Sequence, residues 1–108
     1  MSYKVRLTDD AAADLDDLYA HIAQNDSLEN ADSVLMRIED VLASLAKNPK
    51  RGVYPAELLE LGIREYREVF FKPYRIIYRL IGRTVYAYLI VDGRRDMQSL
   101  LRRLLLGA

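Results

Sequence analysis

The chain has 108 residues, of which 51% are hydrophobic, with 16 basic and 16 acidic side chains, one histidine and no cysteine. This length suits one domain, predicted here to span residues 1–108, with enough chain to bury a core. The absence of cysteine excludes disulfides, thiolate metal sites and a cysteine nucleophile. Because His21 is the only histidine, a histidine-rich metal site is excluded too, and we expect neither a metal nor a cofactor.

The sequence carries no segment suited to a membrane. Its apolar stretches are far shorter than the roughly 20 residues that a transmembrane helix needs. The first ten residues, MSYKVRLTDD, lack the apolar region and small-residue cleavage site of a secretory signal. These features predict a small cytoplasmic protein without a membrane partner.

The neutral total charge is the sum of two unlike halves. Residues 1–48 contain four basic and ten acidic side chains, a net charge of −6. Residues 49–108 contain twelve basic and six acidic side chains, a net charge of +6, and ten of those twelve are arginine. The guanidinium group suits phosphate and carboxylate partners, so this asymmetry points to an acidic or nucleic-acid partner. Ordinary solvated helix and sheet faces would explain it equally well.

The first half of the chain predicts one strand and two helices. Residues 3–7 alternate apolar and charged side chains, as a half-buried strand does. Thr8 is a candidate N-cap for a first helix whose apolar positions recur as far as Ile22. Ser27 is a candidate N-cap for a second helix, which ends at the Lys-Asn-Pro sequence of residues 47–49. Because only a few polar residues join the two helices, they should form an antiparallel hairpin.

The second half predicts a β-meander and a short C-terminal segment. Its strand-like runs occupy residues 65–71, 74–81 and 84–91. Pro73 ends the first run, and the Gly-Arg pair at 82–83 is a two-residue hairpin signal. Residues 96–105 form a short amphipathic helix or an extended arm. The predicted fold class is therefore α+β: an N-terminal strand, then an α-helical hairpin packed on an antiparallel sheet with a three-stranded C-terminal meander.

The helical hairpin can cover only one face of this sheet, and the alternation of side chains predicts which one. The face of the last strand expected under the helices is the aliphatic one, formed by Val85, Ala87, Leu89 and Val91. In the middle strand, Arg75 and Arg79 would be costly to bury without partners, so we expect them on an open face beside Tyr86 and Tyr88. Arginine beside tyrosine suits base stacking or phosphate binding, and it also occurs on ordinary solvated sheets.

Residues 66–105 strongly resemble the RelE/ParE superfamily of type II toxin–antitoxin toxins. The most specific matches are the YRIIYR strand at 74–79, the hairpin after it, and the Gly-Arg-Arg-Asp box at 93–96 with its leucine- and arginine-rich tail. The resemblance implies a compact toxin and a cognate antitoxin whose disordered C-terminal segment folds onto it. Operator DNA would then be bound only through the N-terminal domain of the antitoxin.

Two activities occur in this superfamily, and they need different chemistry. RelE-like members cleave mRNA in the ribosomal A site, which requires a base for the 2′-OH, an acid for the leaving 5′ oxygen and cations for the phosphate. By resemblance, the arginines of that site match Arg75 and Arg95. The positions of the proton-transfer groups fall on Arg67, on Glu68 or Val69, and on Leu101.

This pattern keeps the charge-holding arginines without the proton-transfer groups, and it resembles ParE, which poisons DNA gyrase. Asp92 is a departure, because many ParE-like relatives have histidine there. We therefore expect a gyrase poison that is not an enzyme, with no catalytic residue assigned. The alternatives are a RelE-like ribosome-dependent mRNA endoribonuclease and an inactive antitoxin-binding module. The candidates for target contact, for which fold support by ion pairing is the competing interpretation, are Arg75, Arg79, Arg94, Arg95, Arg102 and Arg103.

Overall fold

The computed structural model describes residues 2–106, so Met1, Gly107 and Ala108 of the predicted 1–108 domain lie outside the described residues. Within that range the elements are, in chain order, β1 (Lys4–Leu7), α1 (Asp9–Asn25), α2 (Leu28–Lys47), α3 (Ala56–Leu59), β2 (Arg67–Phe71), β3 (Tyr74–Ile81), β4 (Thr84–Asp92) and α4 (Met97–Leu105). This order confirms the predicted α+β fold. No helix in residues 2–106 has the length and apolar character needed to cross a membrane.

The two long helices begin where their caps were predicted. The Thr8 hydroxyl accepts a hydrogen bond from the Ala11 N–H at 3.1 Å. The Ser27 hydroxyl accepts one from the Asn30 N–H at 3.0 Å. Each cap satisfies a backbone donor that the first turn of a helix leaves free. The resulting hairpin of α1 and α2 confirms the prediction from sequence.

The sheet has the strand order β1-β4-β3-β2. The last three strands form the predicted antiparallel meander, and Gly82 begins the β3–β4 turn with a φ of +60° that favours glycine. β1 pairs with β4 in parallel and stops where Leu7 lies opposite Ala87. Beyond that point α1 lies beside β4, and the Asp14 carboxylate accepts the Ile90 N–H at 3.1 Å. The helix thus replaces the missing strand along part of the β4 edge.

A register shift in β4 changes the predicted distribution of its side chains. Ile77 of β3 pairs with Leu89, whereas the next residue, Tyr78, pairs with Ala87. Tyr88 is therefore an extra residue without a partner in β3, which makes it a β-bulge. Because side chains alternate with a period of two, one extra residue reverses the faces of everything that follows.

The prediction for this strand is consequently wrong in its second half. Val85 and Ala87 pack under the helical hairpin as expected. Leu89 and Val91 instead pack on the opposite face, and Ile90 takes their place under the hairpin. The predicted aliphatic face is therefore divided between two cores.

The face that was expected to be open is covered at this end of the sheet. The side chains from α3 and α4 that pack on it are Leu58, Met97, Leu101 and Leu104, all buried. They contact the half of β4 that the bulge has turned toward them. The C-terminal segment is therefore a core helix of the sandwich, and the prediction of an open face is wrong here because α4 needs an apolar surface for its own buried side.

Tyr78 is a fully buried polar aromatic residue in the hairpin-side core. Its hydroxyl donates to the Pro49 carbonyl at 2.7 Å and accepts from the Gly52 N–H at 3.0 Å. Burial raises the pKa of the Tyr78 phenol, which keeps the O–H available as a donor. A Cβ at Gly52 would lie 2.6 Å from this hydroxyl, so the loop before β2 requires glycine there.

We expect Tyr78→Phe to lower the free energy of unfolding by about 1–3 kcal/mol, since it leaves the Gly52 N–H and the Pro49 carbonyl unpaired in the interior. Urea unfolding followed by circular dichroism measures the loss. Tyr86→Phe is the matched control, because the Tyr86 hydroxyl has no hydrogen-bond partner among residues 2–106 and should matter by less than about 0.5 kcal/mol. Equal losses in the two variants would contradict the assignment.

Candidate functional site

The Gly-Arg-Arg-Asp box forms the turn between β4 and α4, and residues 92–96 are called the arginine loop below. Its backbone is fixed by hydrogen bonds at both sides. Gly93 N–H donates to the Pro73 carbonyl at 2.8 Å, and Arg95 N–H donates to the Asp92 carbonyl at 3.1 Å. The loop is therefore anchored both to the β2–β3 turn and to the end of β4.

Two aspartates reinforce the arginine loop from its ends. Asp96 caps α4, and its hydrogen bonds from the Ser99 hydroxyl and N–H lower the pKa of this carboxyl. Asp92 accepts the Arg94 backbone N–H at 2.9 Å and pairs with its guanidinium, which lowers the pKa of Asp92. Arg94 remains 77% exposed in its side chain, and Arg95 is also exposed. The loop is thus a rigid support that presents two arginines to solvent.

Arg75 is enclosed by carboxylates, in contrast to the prediction that it lies on an open face. Its Nε lies 2.6 Å from Glu68 Oε1, and Nη1 and Nη2 each lie 2.8 Å from a carboxylate oxygen of Glu57. The side chain is 13% exposed, and the hydrogen bonds that it donates to Glu57 raise the pKa of Arg75 despite its burial. The guanidinium therefore ties α3 to β2 and β3. It is not displayed to solvent.

Arg75 also explains why the arginine loop contains glycine. A Cβ at Gly93 would lie 2.8 Å from the Arg75 Cδ and 3.1 Å from the Pro73 carbonyl oxygen. A larger residue would displace the arginine stem from its two carboxylates. The glycine of the motif therefore allows close packing against Arg75, and the two arginines that follow it are exposed.

Arg103 of α4 is also paired with carboxylates, in this case those of α1. Its two terminal nitrogens lie 3.1 and 2.8 Å from the Asp14 carboxylate oxygens, and Nη2 also donates to the Tyr88 carbonyl at 3.1 Å. Asp10 lies 3.6 Å from its Nε. Hydrogen bonding to Asp14 raises the pKa of Arg103. This arginine fastens α4 to α1 and to the bulged residue of β4.

The remaining two candidates lie in different places. Arg102 is exposed on α4, close enough to Asp96 to contribute to its lowered pKa. Arg79 is half-buried near the β3–β4 turn, with its guanidinium 5.9 Å from the Tyr66 ring centroid. The structure therefore leaves Arg94 and Arg95 exposed on the arginine loop and Arg102 exposed on α4, whereas the other three candidates are half-buried.

A cleft of about 510 Å³ separates α1 from the arginine loop. Arg94 and Arg95 line one wall, and Asp17 and His21 of α1 line the other, with Tyr74 at the base of the loop. Acidic and basic groups thus face each other across this cleft. Such mixed charge is unfavourable for a phosphate backbone, which the acidic wall repels, and suits a protein surface that carries both signs.

By resemblance, the proton-transfer positions of RelE-like toxins fall on Arg67, on Glu68 or Val69, and on Leu101, and each of these side chains is packed or paired within the fold. Leu101 is 4% exposed in the core beneath α4. Glu68 is buried and paired with Arg75. Arg67 donates to the Gly52 carbonyl at 2.9 Å. Val69, the alternative to Glu68, is only 3% exposed, so none of these side chains offers a free acid or base to a substrate.

Sequence reasoning missed Glu57 and Asp14, the acids that neutralise two of the candidate arginines. The sequence does indicate that Asp14 is partly buried, because Ala11 and Leu18 lie three and four residues away on the buried side of α1. An acid on the apolar side of a helix needs a partner. No comparable signal marks Glu57, which lies in a short helix within an irregular connection.

Glu57→Gln is expected to change how stability depends on pH. Arg75 lowers the pKa of Glu57 in the folded chain below its unfolded value of about 4.3. The carboxylate therefore stabilises the fold fully above the unfolded pKa, and this contribution is lost as the pH falls through the folded pKa. Urea midpoints measured from about pH 6 to 3 should decline less steeply in the variant. Glu60→Gln, an exposed neighbour without an ion pair in residues 2–106, should keep the wild-type slope. Parallel curves for Glu57→Gln and wild type would contradict this role.

A double-mutant cycle on Asp14 and Arg103 tests whether this ion pair stabilises the packing of α4 against α1. Replacing each by alanine, singly and together, should give a coupling energy of about 0.5–3 kcal/mol, because the two groups share two hydrogen bonds. Asp14→Ala should cost more than Arg103→Ala, since it also removes the acceptor of the Ile90 N–H. The exposed pair Asp17 and Arg102 serves as the control and should be additive. Additivity at Asp14 and Arg103 would show that the contact does not stabilise the fold.

Comparison with known proteins connects this architecture to toxins. Residues 5–97 match the family model of the ParE toxin of type II toxin–antitoxin system, parDE. Toxin ParE3 of Caulobacter vibrioides is 31% identical over 96 residues, which cover 89% of this chain and 92% of that relative.

Two solved structures have a similar fold. The chromosomal ParDE TA system from P. aeruginosa superposes with a TM-score of 0.70 at 22% identity, covering 84% of this chain and 96% of that one. The toxin–antitoxin complex RelBE2 from Mycobacterium tuberculosis superposes with a TM-score of 0.60 at 21% identity, covering 85% and 99%. The family match and the ParE3 relative together identify the chain: it belongs to the ParE toxins of type II toxin–antitoxin systems, within the RelE/ParE superfamily.

Proposed function

We propose that this toxin arrests growth by poisoning DNA gyrase through protein contacts. The observation that carries the proposal concerns the three positions where RelE-like toxins hold proton-transfer groups. Here Leu101 is packed in a core and Arg67 is bound to a backbone carbonyl. The remaining position is either Glu68, which is paired with Arg75, or Val69, which is a buried aliphatic residue. General acid–base catalysis typically supplies about 10²–10⁴-fold in rate. A chain without these groups is poorly equipped to cleave RNA, whereas inhibition by binding requires only a suitable surface.

The exposed arginines supply such a surface. Arg94 and Arg95 extend from a loop whose backbone and carboxylates are hydrogen-bonded, so little conformational freedom would be lost on binding. Arginine is among the residues that most often dominate binding energy at protein interfaces. The mixed charge of the adjacent cleft suits a protein partner for the same reason that it disfavours a phosphate backbone.

A cognate antitoxin is part of this proposal. The similar P. aeruginosa structure is described as a ParDE system, and the M. tuberculosis structure as a complex of toxin and antitoxin. In this chain, the exposed large apolar side chains along α3 and α4 are Leu59, Leu61, Leu105 and Leu106. Exposed apolar residues grouped in this way are typical of protein-binding surfaces, which supports a protein partner on this side of the molecule.

Expression of the chain in bacterial cells without an antitoxin separates the candidate functions. A gyrase poison should arrest growth and induce the DNA-damage (SOS) response while transcripts mapped by end sequencing stay intact. Cleaved transcripts without SOS induction would instead indicate a RelE-like endoribonuclease. Normal growth with folded toxin present at wild-type levels would indicate an inactive antitoxin-binding module. Either of these two results contradicts the proposal.

Arg95→Ala tests the contact surface itself. Because this side chain is exposed and makes no ion pair within residues 2–106, its loss should leave folding and antitoxin capture almost unchanged. We expect gyrase inhibition to weaken about tenfold or more, the effect of losing an interface arginine. Arg6→Ala removes an equally exposed cation from β1 and is the matched control. If Arg95→Ala loses antitoxin capture to the same degree as toxicity, Arg95 supports the fold or binds the antitoxin instead.

A further inference from the structure

The charges of this neutral chain are segregated in space as well as in sequence. At the end of the sheet that carries the β3–β4 turn, Lys4 N–H donates to the Arg83 carbonyl and Tyr3 N–H to the Ala46 carbonyl, which brings the end of α2 there. The basic residues gathered at this end are Lys4, Lys47, Lys50, Arg51, Arg64, Arg67, Arg79 and Arg83. They include two lysines of the acidic N-terminal half. The fold thus builds a basic end from both halves of the sequence.

Within this end lies a cleft of about 280 Å³, called the basic cleft below, which is lined by Lys50, Arg64, Glu65, Arg67, Arg79 and Leu80. Four of these six side chains are cations and one is an anion, so the lining carries a net charge of +3. The salt bridges among residues 2–106 involve Arg75, Arg94 and Arg103, and none involves a cation of the basic cleft. Its positive charge is therefore available to an external anion.

Two of the cations are held in place by neighbouring tyrosines. The Arg67 guanidinium lies 4.7 Å from the Tyr54 ring centroid and donates to the Gly52 carbonyl at 2.9 Å. The Arg79 guanidinium lies 5.9 Å from the Tyr66 ring centroid. Both distances fall within the range of cation–π contacts. These stacks orient the guanidinium groups without neutralising them, which is what a preformed anion site requires.

We propose that the basic cleft binds the phosphodiester backbone of a nucleic acid. Protein–nucleic acid interfaces are more polar and more positively charged than protein–protein interfaces. The lining matches this description, because Leu80 is its only apolar side chain and it is half-buried. Tight protein–protein interfaces usually contain buried anchor side chains at their centre, and four of the five exposed leucines lie in or beside α3 and α4 instead.

This inference is independent of the proposed gyrase target. The basic cleft lies at the β3–β4 turn, whereas the arginine loop follows the opposite end of β4. Contacts to phosphate position a protein on nucleic acid without reading its sequence. The chain would therefore hold a backbone without recognising an operator. DNA and RNA share the phosphodiester group, and separate probes distinguish them.

The direct test is fluorescence anisotropy of the purified full chain with three labelled probes: a duplex DNA, a single-stranded DNA and an RNA hairpin. Since the chain has no net charge at pH 7, attraction at that pH reflects the local cluster. Four phosphate contacts predict a slope of log K against log salt of about −3 to −4 on duplex DNA, a loss near 100-fold between about 50 and 200 mM salt. The probe that binds most tightly shows whether the basic cleft prefers duplex DNA, single-stranded DNA or RNA.

Three variants locate the binding. Arg64→Gln with Arg79→Gln should weaken it strongly and reduce the salt slope by about 2. Glu65→Gln removes the only carboxylate of the basic cleft and should tighten binding. Arg37→Gln with Lys72→Gln removes the same two charges from exposed sites near the far end of β2 and should change little. Circular dichroism confirms that each variant is folded.

Several outcomes would overturn the proposal. Absence of binding to all three probes at low salt would do so, as would equal binding by the cleft variant and its charge-matched control. Binding to an acidic polypeptide of equal charge, without binding to the nucleic acids, would assign the basic cleft to a protein. Because these assays contain no gyrase, their failure leaves the gyrase experiments unaffected, and the reverse also holds.

Discussion

The single extra residue at Tyr88 determines how the rest of this molecule is built. It turns Leu89 and Val91 away from the helical hairpin and gives the sheet a second apolar face, on which α4 packs. Pairing with β1 ends just before the bulge, and the Asp14 carboxylate of α1 accepts the Ile90 N–H beyond it. The same carboxylate and the Tyr88 carbonyl both accept hydrogen bonds from Arg103 of α4. One change of register thus creates the surface for α4 and its attachment.

Five of the six candidate arginines fall into two kinds. Arg75 and Arg103 are neutralised by carboxylates and hold elements together. Arg94 and Arg95 remain exposed on a loop whose Gly93 packs against the stem of Arg75, and Arg102 remains exposed on α4. A toxin that binds its target needs rigid exposed groups, and here the paired arginines supply that rigidity. A chain of zero net charge thus contains arginines that stabilise the fold and arginines that are exposed to a partner.

Much of the fold was predictable because its signals are local. The caps at Thr8 and Ser27, the β3–β4 turn at Gly82 and the element order all follow from short sequence patterns. The bulge was not predictable, since it depends on pairing between strands and no residue type specifies it. Arg75 does lie on the predicted face of β3, away from the hairpin, but that face is covered around it. Its partner Glu57 lies 18 residues away in an irregular connection, so nothing in the local pattern joins the two.

The central claim is that this toxin acts by binding gyrase and not by cutting RNA. The most direct measurement incubates the purified chain with gyrase, relaxed plasmid and ATP, followed by detergent and protease to release trapped broken DNA. A parallel reaction contains programmed ribosomes, with the mRNA ends mapped. The account predicts linear plasmid in the first reaction and intact mRNA in the second. Normal supercoiling together with mRNA cut in the ribosomal A site would contradict it.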